Sequence, residues 1–275
     1  MSEAPPLTAE QAAAVDHTGH RLFVSACPGS GKTRTVVDRF LVRTRELGTR
    51  RGIAVLSFSR RATGEIRERC ANEGLEALLS LPNFVGTLDG FFGRYVFRPA
   101  QQSRSRIRVT VLDSWDALNA KVRVGGVSSP GVSLDAFPIV AGAARFDSKR
   151  LRGSESSVRR EIETNRSTWE RSAMRYQASL NAKGYFTCDG VRTEVRAILT
   201  ESDASTCILK ALAGRFEEII VDEAQDCDED QLVVLGALSE VGVRLVVVAD
   251  PEQAIYEFRK ARPDLLAELT TECLD

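Results

Sequence analysis

The sequence predicts an α/β protein whose core is a doubly wound parallel sheet. Apolar, β-branched segments of strand length alternate with longer segments of helical period near both ends of the chain. A glycine-rich loop directly follows the first strand segment. The last strand segment, 243–249, is apolar almost throughout, which is typical of a strand buried on both faces of a parallel sheet.

The predicted elements alternate along the chain. Strands are predicted near 21–26, 52–58, 83–87, 107–112, 216–222 and 243–249. Helices are predicted near 31–46, 59–72, 88–97, 205–214, 228–240 and 263–273. Because the carboxyl ends of parallel strands meet at one edge of the sheet, we expect ligands to bind at that edge.

The loop after the first strand has the composition of a phosphate-binding cradle. It reads Ala26-Cys27-Pro28-Gly29-Ser30-Gly31-Lys32-Thr33. Gly29 and Gly31 allow tight turns and a close approach of the backbone to phosphate, where backbone N–H groups form an anion site. Lys32 supplies a charge for the β- and γ-phosphates, and Thr33 supplies a hydroxyl for Mg²⁺. Ala26 stands where the strict pattern has glycine, and an ordinary glycine turn that caps a helix is the alternative.

A second motif carries two acids at the end of a predicted buried strand. The segment 216–221 is apolar and rich in β-branched residues, and Asp222 and Glu223 follow it directly. Asp222 can hold Mg²⁺ through a water, and Glu223 can polarise the water that attacks a phosphate. The alternative is an acidic loop that caps the next helix. The separate phosphate cradle favours the catalytic interpretation.

These two motifs and four others, in the same order, resemble the first half of UvrD/PcrA/Rep-type superfamily 1 DNA helicases. The matching segments are 7–11, 26–34, 54–62, 85–91, 222–226 and 249–259. The resemblance implies a RecA-like P-loop domain that binds ATP and Mg²⁺. It covers roughly 7–100 and 185–262 and leaves the middle of the chain without a matching motif.

The resemblance also implies roles for individual residues around ATP. Gln11 would read the adenine edge, Arg34 would lie against the adenine, and Gln253 would sense the γ-phosphate. Lys32, Glu223 and Gln253 are the implied catalytic residues, and Thr33 and Asp222 the implied metal ligands. The implied nucleotide-binding residues are Gln11, Ala26, Cys27, Pro28, Gly29, Ser30, Gly31, Lys32, Thr33 and Arg34.

A third implied set would contact single-stranded DNA or a 3′-tailed duplex. The implied DNA-binding residues are Phe58, Arg60, Thr87, Tyr256, Phe258 and Arg259. Tyr256 and Phe258 would stack on bases. Asp89 stands where the family usually has histidine, and its carboxylate repels phosphate, so Thr87 is the preferred contact in that segment.

The middle of the chain differs from its flanks in pattern and in charge. We predict that 1–103 and 186–275 form the RecA-like domain and that 104–185 is a mainly helical accessory insertion. Residues 91–200 contain 19 basic and 10 acidic side chains, which favours a nucleic-acid face, whereas a solvated helical surface is the alternative. Trp169 and Tyr176 are seven residues apart on one helical face, so we expect them to pack in a core.

Composition excludes several other classes. The chain has no apolar run of membrane-spanning length and no signal-peptide character in its first residues. Its 6 cysteines have no C-x-x-C spacing, and its 2 histidines do not accompany them. We therefore expect a cytoplasmic protein with reduced thiols, no membrane partner and no zinc site.

The function expected from these features is an ATP-hydrolysing half of a DNA helicase that moves on single-stranded DNA. A 3′-to-5′ polarity follows from the resemblance alone, and the motifs do not separate repair, recombination and phage defence. The chain ends at Asp275, before the next family motif, so we expect a second RecA-like half downstream or in trans, without which unwinding is weak or absent. The alternative is a nucleotide-gated nucleic-acid-binding or interaction module with little ATP turnover.

Overall fold

The computed structural model describes most of the chain. The described residues are 6–27, 29–47, 51–125, 131–140, 142–151, 156–200, 205–250 and 265–266. Five residues with predicted roles lie outside this set: Pro28, Gln253, Tyr256, Phe258 and Arg259. Their predicted roles therefore remain predictions.

Helices and strands alternate near both ends of the chain, whereas five short strands follow one another without an α-helix between them in the described part of its middle. The described helices are α1 (Ala9–Asp16), α2 (Lys32–Leu47), α3 (Arg60–Asn72), α4 (Leu88–Phe92), α5 (Arg98–Arg104), α6 (Ser156–Thr164), α7 (Arg166–Ala182), α8 (Cys188–Thr200), α9 (Ser205–Arg215) and α10 (Glu229–Glu240). The described strands are β1 (Arg21–Ser25), β2 (Gly52–Ser57), β3 (Phe84–Thr87), β4 (Thr110–Leu112), β5 (Lys121–Val122), β6 (Val132–Ser133), β7 (Ile139–Val140), β8 (Ala143–Ala144), β9 (Tyr185–Thr187), β10 (Phe216–Asp222) and β11 (Arg244–Ala249). No helix in the described part of the chain is long and apolar enough to cross a membrane.

The chain divides into two compact units. The first comprises Met1–Val96 and Arg196–Asp275, and the second comprises Phe97–Val195. The first unit contains a five-stranded sheet in the order β1-β11-β10-β2-β3, and every neighbouring pair in it is parallel. The predicted α/β fold with a central parallel sheet is therefore confirmed.

Both faces of this sheet are covered, which explains the apolar character of its strands. On one face, side chains of β2, β3, β10 and β11 form a core with α2 and α3. The members from the strands are Ile53, Val55, Val85, Ile220, Val246 and Val248. The alternate residues on the opposite face, including Leu56 and Val221, are also buried, and α9 and α10 contact the strands β10 and β11.

Two predicted elements differ from those in the structure, and one short helix was not predicted. The segment predicted as a strand near 107–112 contributes only β4, which pairs with β9 in a separate two-stranded sheet of the second unit. The predicted helix 88–97 is divided into α4 and a π-helical turn, Gly93–Phe97, that leads into α5. The helix α1 was not predicted because its eight residues are rich in alanine and have weak amphipathic character. It begins with a capping box in which Thr8 and Gln11 exchange hydrogen bonds.

The second unit has its own apolar core, built around Trp169 of α7. Trp169 is fully buried and stacks on Phe137 with ring centroids 6.3 Å apart, and Tyr176 packs at the edge of the same cluster. The predicted packing role of these two aromatic residues is confirmed. The unit consists of α5 to α7, most of α8 and the short strands β4 to β9.

One buried ion pair connects three elements of the first unit. Arg39 of α2 donates two hydrogen bonds to the carboxylate of Glu218 on β10, at 2.8 and 3.0 Å, and the two side chains are 2% and 0% exposed. Its remaining terminal nitrogen donates to the carbonyl oxygens of Ala14, Val15 and His17, at 2.7, 3.2 and 2.9 Å. These carbonyls lie at the end of α1, where the helix has no intrahelical donors for them. Arg39 therefore fixes α1 against α2 and the sheet.

We predict that Arg39→Met lowers the free energy of unfolding by about 3–5 kcal/mol, because Glu218 is left buried without its bidentate partner. Urea denaturation of the purified chain measures the change. The matched control is Arg34→Met on the same helix, where the pair with Asp38 at 3.5 Å is more exposed, and a loss of at most about 1 kcal/mol is expected. Equal losses in the two variants would contradict the structural role given to Arg39.

Candidate functional site

The loop between β1 and α2 has the backbone conformation of a phosphate cradle. Gly29 and Gly31 adopt φ angles of +75° and +81°, in the left-handed region that glycine enters without steric cost. The amide of Ala26 donates to the carbonyl of Ala249 at 3.1 Å, which ties the start of the loop to β11. The helix α2 begins at Lys32, so its N-terminal N–H groups face the same space.

Gln11 contacts the cradle directly. Its Nε2 donates to the carbonyl of Ser30 at 2.7 Å, and its Oε1 accepts from the amide of Thr8 at 3.0 Å. A Cβ atom at Gly31 would lie 2.9 Å from this Nε2, which gives a second reason for glycine at that position. Arg34 is turned along α2 and pairs with Asp38 at 3.5 Å. Gln11 is therefore beside the loop, and both predicted base contacts have protein partners.

Lys32 lies between two acids at the carboxyl edge of the sheet. Its Nζ is 3.4 Å from Oδ2 of Asp250 and 3.9 Å from Oε1 of Glu223. Asp250 follows β11 and is fully buried, whereas the Glu223 side chain is about one-third exposed. A phosphate group entering the cradle would compete with these carboxylates for the same ammonium group.

Asp222 is the last residue of β10 and is 1% exposed. It lies two residues after Ile220, so its side chain leaves the sheet on the face covered by α2 and α3. Burial raises the pKa of its carboxyl to about 6, with a further contribution from the neighbouring charge of Glu223. The hydrogen bond from the Glu223 amide and the charge of Lys32 act in the opposite direction. The carboxyl is therefore a buried acid whose charge is poorly compensated by the protein alone.

Glu223 has an unusual backbone conformation. Its φ and ψ angles are 56° and 41°, in the left-handed region, which is costly for a residue other than glycine. The backbone amide of Glu223 donates to Oδ1 of Asp222 at 3.0 Å. Its carboxylate accepts a hydrogen bond from Nε2 of Gln225 through Oε2. The side chain is therefore directed by its neighbours in the turn that follows β10.

The donor groups at this edge fit a magnesium ion held mainly by substrate and water. A carboxylate from Asp222 and a hydroxyl from Thr33 are hard oxygen ligands of the kind that Mg²⁺ prefers. Among the described residues, no group of three or more His, Cys, Asp or Glu side chains could enclose a metal ion. Ser57 pairs in register with Asp222 on the adjacent strand, and its buried hydroxyl has no hydrogen-bond partner among the described residues. A hydrated cation beside Asp222 would satisfy both groups.

The described residues with predicted DNA contacts lie at the ends of the next two strands. Phe58 follows β2, and Arg60 is the exposed first residue of α3, after the helix cap Ser59. Thr87 ends β3, and its hydroxyl caps α4 by accepting from the amide of Gly90 at 3.1 Å. Asp89 accepts a hydrogen bond from Gln231 at 3.2 Å. These residues share the carboxyl edge of the sheet with the cradle.

Sequence reasoning missed three residues of this site. Asp250 directly follows the predicted strand 243–249, a position that predicts a side chain at the ligand edge. Gln225 lies within the matching segment 222–226, and Ser57 lies within the segment 54–62, but neither position indicates a role by itself. Cys27, included in the predicted set, is an exposed free thiol in the loop. The register of the parallel strands, which short motifs do not reveal, brings these residues to one edge.

One family model and several known proteins are similar to this chain over most of its length. The family model described as the UvrD/REP helicase N-terminal domain matches residues 7–273. The ATP-dependent DNA helicase UvrD1 of Mycobacterium tuberculosis is 27% identical over 93% of this chain and 34% of its own length. The Gabija protein GajB of Bacillus cereus is 24% identical over 90% of the chain and 40% of its own length.

A shorter similarity involves a subunit of a larger enzyme. The RecBCD enzyme subunit RecB of Borreliella burgdorferi is 43% identical over 54 residues, which are 20% of this chain and 5% of that protein. The chain thus spans 34–40% of the length of the two relatives that it matches almost throughout.

We predict that Asp222→Asn stabilises the chain at about pH 7 when nucleotide and divalent cations are removed. The folded-state pKa of about 6 lies above the ordinary value of 3.8, so the ionised carboxylate destabilises the folded state at neutral pH, by roughly 3 kcal/mol. Below about pH 3 the carboxyl is protonated in both states, because this is well below both pKa values, so the gain should disappear there. Urea denaturation at both pH values measures it.

The matched control for this prediction is Glu68→Gln, which removes an exposed carboxylate of α3. It should change the free energy of unfolding little at either pH, because an exposed carboxylate interacts weakly with the rest of the protein. A stabilisation by Asp222→Asn that is the same at both pH values would contradict the explanation from buried charge.

Proposed function

The chain belongs to the UvrD/REP helicase N-terminal domain family, and we propose that it is the part of a DNA helicase that binds and hydrolyses ATP. Hydrolysis drives movement along single-stranded DNA, in the 3′-to-5′ direction. The observation that carries the proposal is the convergence of Lys32, Asp222 and Glu223 at one edge of the sheet, beside a glycine cradle. The relative named as an ATP-dependent DNA helicase supports ATP as the substrate and DNA as the polymer.

In the proposed reaction, Lys32 leaves Asp250 and Glu223 and binds the β- and γ-phosphates of ATP. Mg²⁺ would be held by Asp222 and Thr33 and would neutralise phosphate charge. The oxygen of a water attacks the γ-phosphorus while the bond to the leaving oxygen of ADP breaks, and that oxygen keeps the electron pair. Glu223 orients this water and accepts its proton, which then passes to the released phosphate.

The proposed adenine contacts require local rearrangement of two side chains. Gln11 would exchange its hydrogen bond to Ser30 for the edge of the base, and Arg34 would leave Asp38 to lie against the ring. Gln253 is proposed as the sensor of the γ-phosphate. Because Arg39 fixes the end of α1, Gln11 can move without displacing its helix.

The proposed DNA path crosses the ends of β2 and β3. Phe58 stacks on a base, Arg60 and Thr87 bind the phosphate backbone, and Tyr256, Phe258 and Arg259 extend the path. The exposed position of Arg60 at the start of α3 supports this assignment. Each stacked base contributes roughly 1–3 kcal/mol to binding.

Complete unwinding activity is proposed to need a second RecA-like half, downstream or in trans. The matched relatives are longer than this chain, which covers 34–40% of their length. An arginine supplied from outside the cradle typically accelerates phosphoryl transfer about 10³- to 10⁵-fold in related enzymes. Hydrolysis by the 275 residues alone is therefore expected to be slow.

We predict that Lys32→Ala weakens Mg·ATP binding, whereas Glu223→Gln retains binding and loses hydrolysis. The first variant removes the charge that binds phosphate, and the second removes only the group that takes the proton. Titration with a fluorescent ATP analogue measures binding, and single-turnover hydrolysis of radiolabelled ATP measures the reaction. Equal hydrolysis by wild type and Glu223→Gln would exclude the proposed role of Glu223. Binding without any DNA-stimulated turnover, even with the second half supplied, would favour a nucleotide-gated binding module.

We further predict that Arg60→Ala weakens single-stranded DNA binding and reduces the slope of log affinity against log salt by about 1. A variant that makes one phosphate contact fewer releases one counterion fewer when it binds DNA. The matched control is Arg45→Ala, which removes an exposed arginine in the last turn of α2, at the opposite end from the cradle. Fluorescence anisotropy at several salt concentrations measures both variants. If both variants lower the slope equally, Arg60 has no special contact with DNA.

A further inference from the structure

Gln225 is a buried polar residue whose side-chain amide makes two hydrogen bonds within the candidate site. It is 4% exposed and lies in the short turn Ala224–Asp226 that follows β10. Its Nε2 donates to Oε2 of Glu223, and its Oε1 accepts from the backbone amide of Asp250 at 3.1 Å. One amide group therefore joins the carboxylate of Glu223 to the end of β11.

These contacts close a ring of four residues. Lys32 lies 3.4 Å from Asp250 and 3.9 Å from Glu223, and Gln225 joins the same two residues from the other side. Two of the four contacts are ion pairs made by Lys32, and the other two are hydrogen bonds made by the neutral amide of Gln225. A phosphate that binds Lys32 would break both ion pairs and leave both hydrogen bonds of Gln225 in place.

The hydrogen bond from Gln225 would then determine the orientation of the Glu223 carboxylate. Its Oε2 is occupied by the Gln225 amide, so Oε1, the oxygen nearest to Lys32, is the one left to accept from a water. Glu223 has a left-handed backbone conformation, and a free glutamate side chain populates several rotamers. A hydrogen bond from a buried neighbour would select among them.

We propose that Gln225 is a positioning residue for ATP hydrolysis. It keeps the Glu223 carboxylate in a fixed position beside the end of β11 after Lys32 has moved to the phosphates. This inference rests on the proposed ATPase function. Gln225 itself touches neither ATP nor the attacking water and acts only through Glu223. Partners of this kind typically affect activity about 10- to 100-fold when they are removed.

The test compares Gln225→Met with Gln231→Met in the full chain. Methionine has similar length but neither donates nor accepts a strong hydrogen bond. Gln231 is the matched control because it is equally buried and its amide also joins a backbone amide, that of Asp228, to a carboxylate, that of Asp89. Titration with a fluorescent ATP analogue gives the dissociation constant, and single-turnover hydrolysis gives the rate.

We expect Gln225→Met to lower the hydrolysis rate about 10- to 100-fold and to change the dissociation constant less than about threefold. Gln231→Met should leave both values near those of wild type. In a Glu223→Gln background, Gln225→Met should lower the residual rate no further, because its effect passes through the missing carboxylate. Gln225→Asn, whose amide is one methylene shorter and cannot span both partners, replaces the methionine variant if that variant does not fold.

Three results would overturn the inference: a wild-type rate in Gln225→Met, an equal loss in Gln231→Met, or a full additional loss on top of Glu223→Gln. A wild-type chain that binds no ATP, or that hydrolyses it as fast as Glu223→Gln, would instead overturn the proposed function. The two failures are thus separated by the behaviour of wild type and Glu223→Gln, which are measured in the same experiment.

Discussion

The buried pair of Arg39 and Glu218 is the interaction on which the arrangement of the first unit depends. It joins the helix that follows the cradle to the strand that carries the two acids, and it also caps the end of α1. Two buried charges are costly unless each is fully paired, and here the guanidinium is satisfied by a bidentate carboxylate and three carbonyls. The pair thereby fixes the relative positions of the elements that carry Gln11, Lys32 and Asp222.

Within that frame, the site holds more negative charge than the protein itself can neutralise. Lys32 is shared by Asp250 and Glu223, and burial keeps the pKa of Asp222 near 6. A metal ion would supply the missing positive charge. A triphosphate would bind Lys32 in place of the two carboxylates. The site is thus less stable alone than an apolar edge of the same sheet would be, which is common where function requires buried acids.

The sequence was sufficient to predict the α/β fold, because strands buried on both faces produce long apolar runs such as those of β10 and β11. It also predicted that Lys32, Asp222 and Glu223 would share an edge, because the loop that leads to Lys32 and the turn that contains Glu223 each follow the carboxyl end of a parallel strand. It could not predict which side chains touch, since the contact of Gln225 with Asp250 depends on the register of β10 against β11. Helix α1 was missed because a short alanine-rich helix has little periodicity, and its stability comes from caps and from Arg39.

The most direct test is a crystal structure of the chain with Mg²⁺ and a non-hydrolysable ATP analogue. We predict that the Lys32 ammonium lies on the β- and γ-phosphate oxygens and no longer on Asp250, that Mg²⁺ lies beside Asp222 and Thr33, and that Gln225 still contacts Glu223. A nucleotide bound away from the loop 26–33, or a Lys32 that remains on Asp250 with the triphosphate in place, would contradict the proposed function.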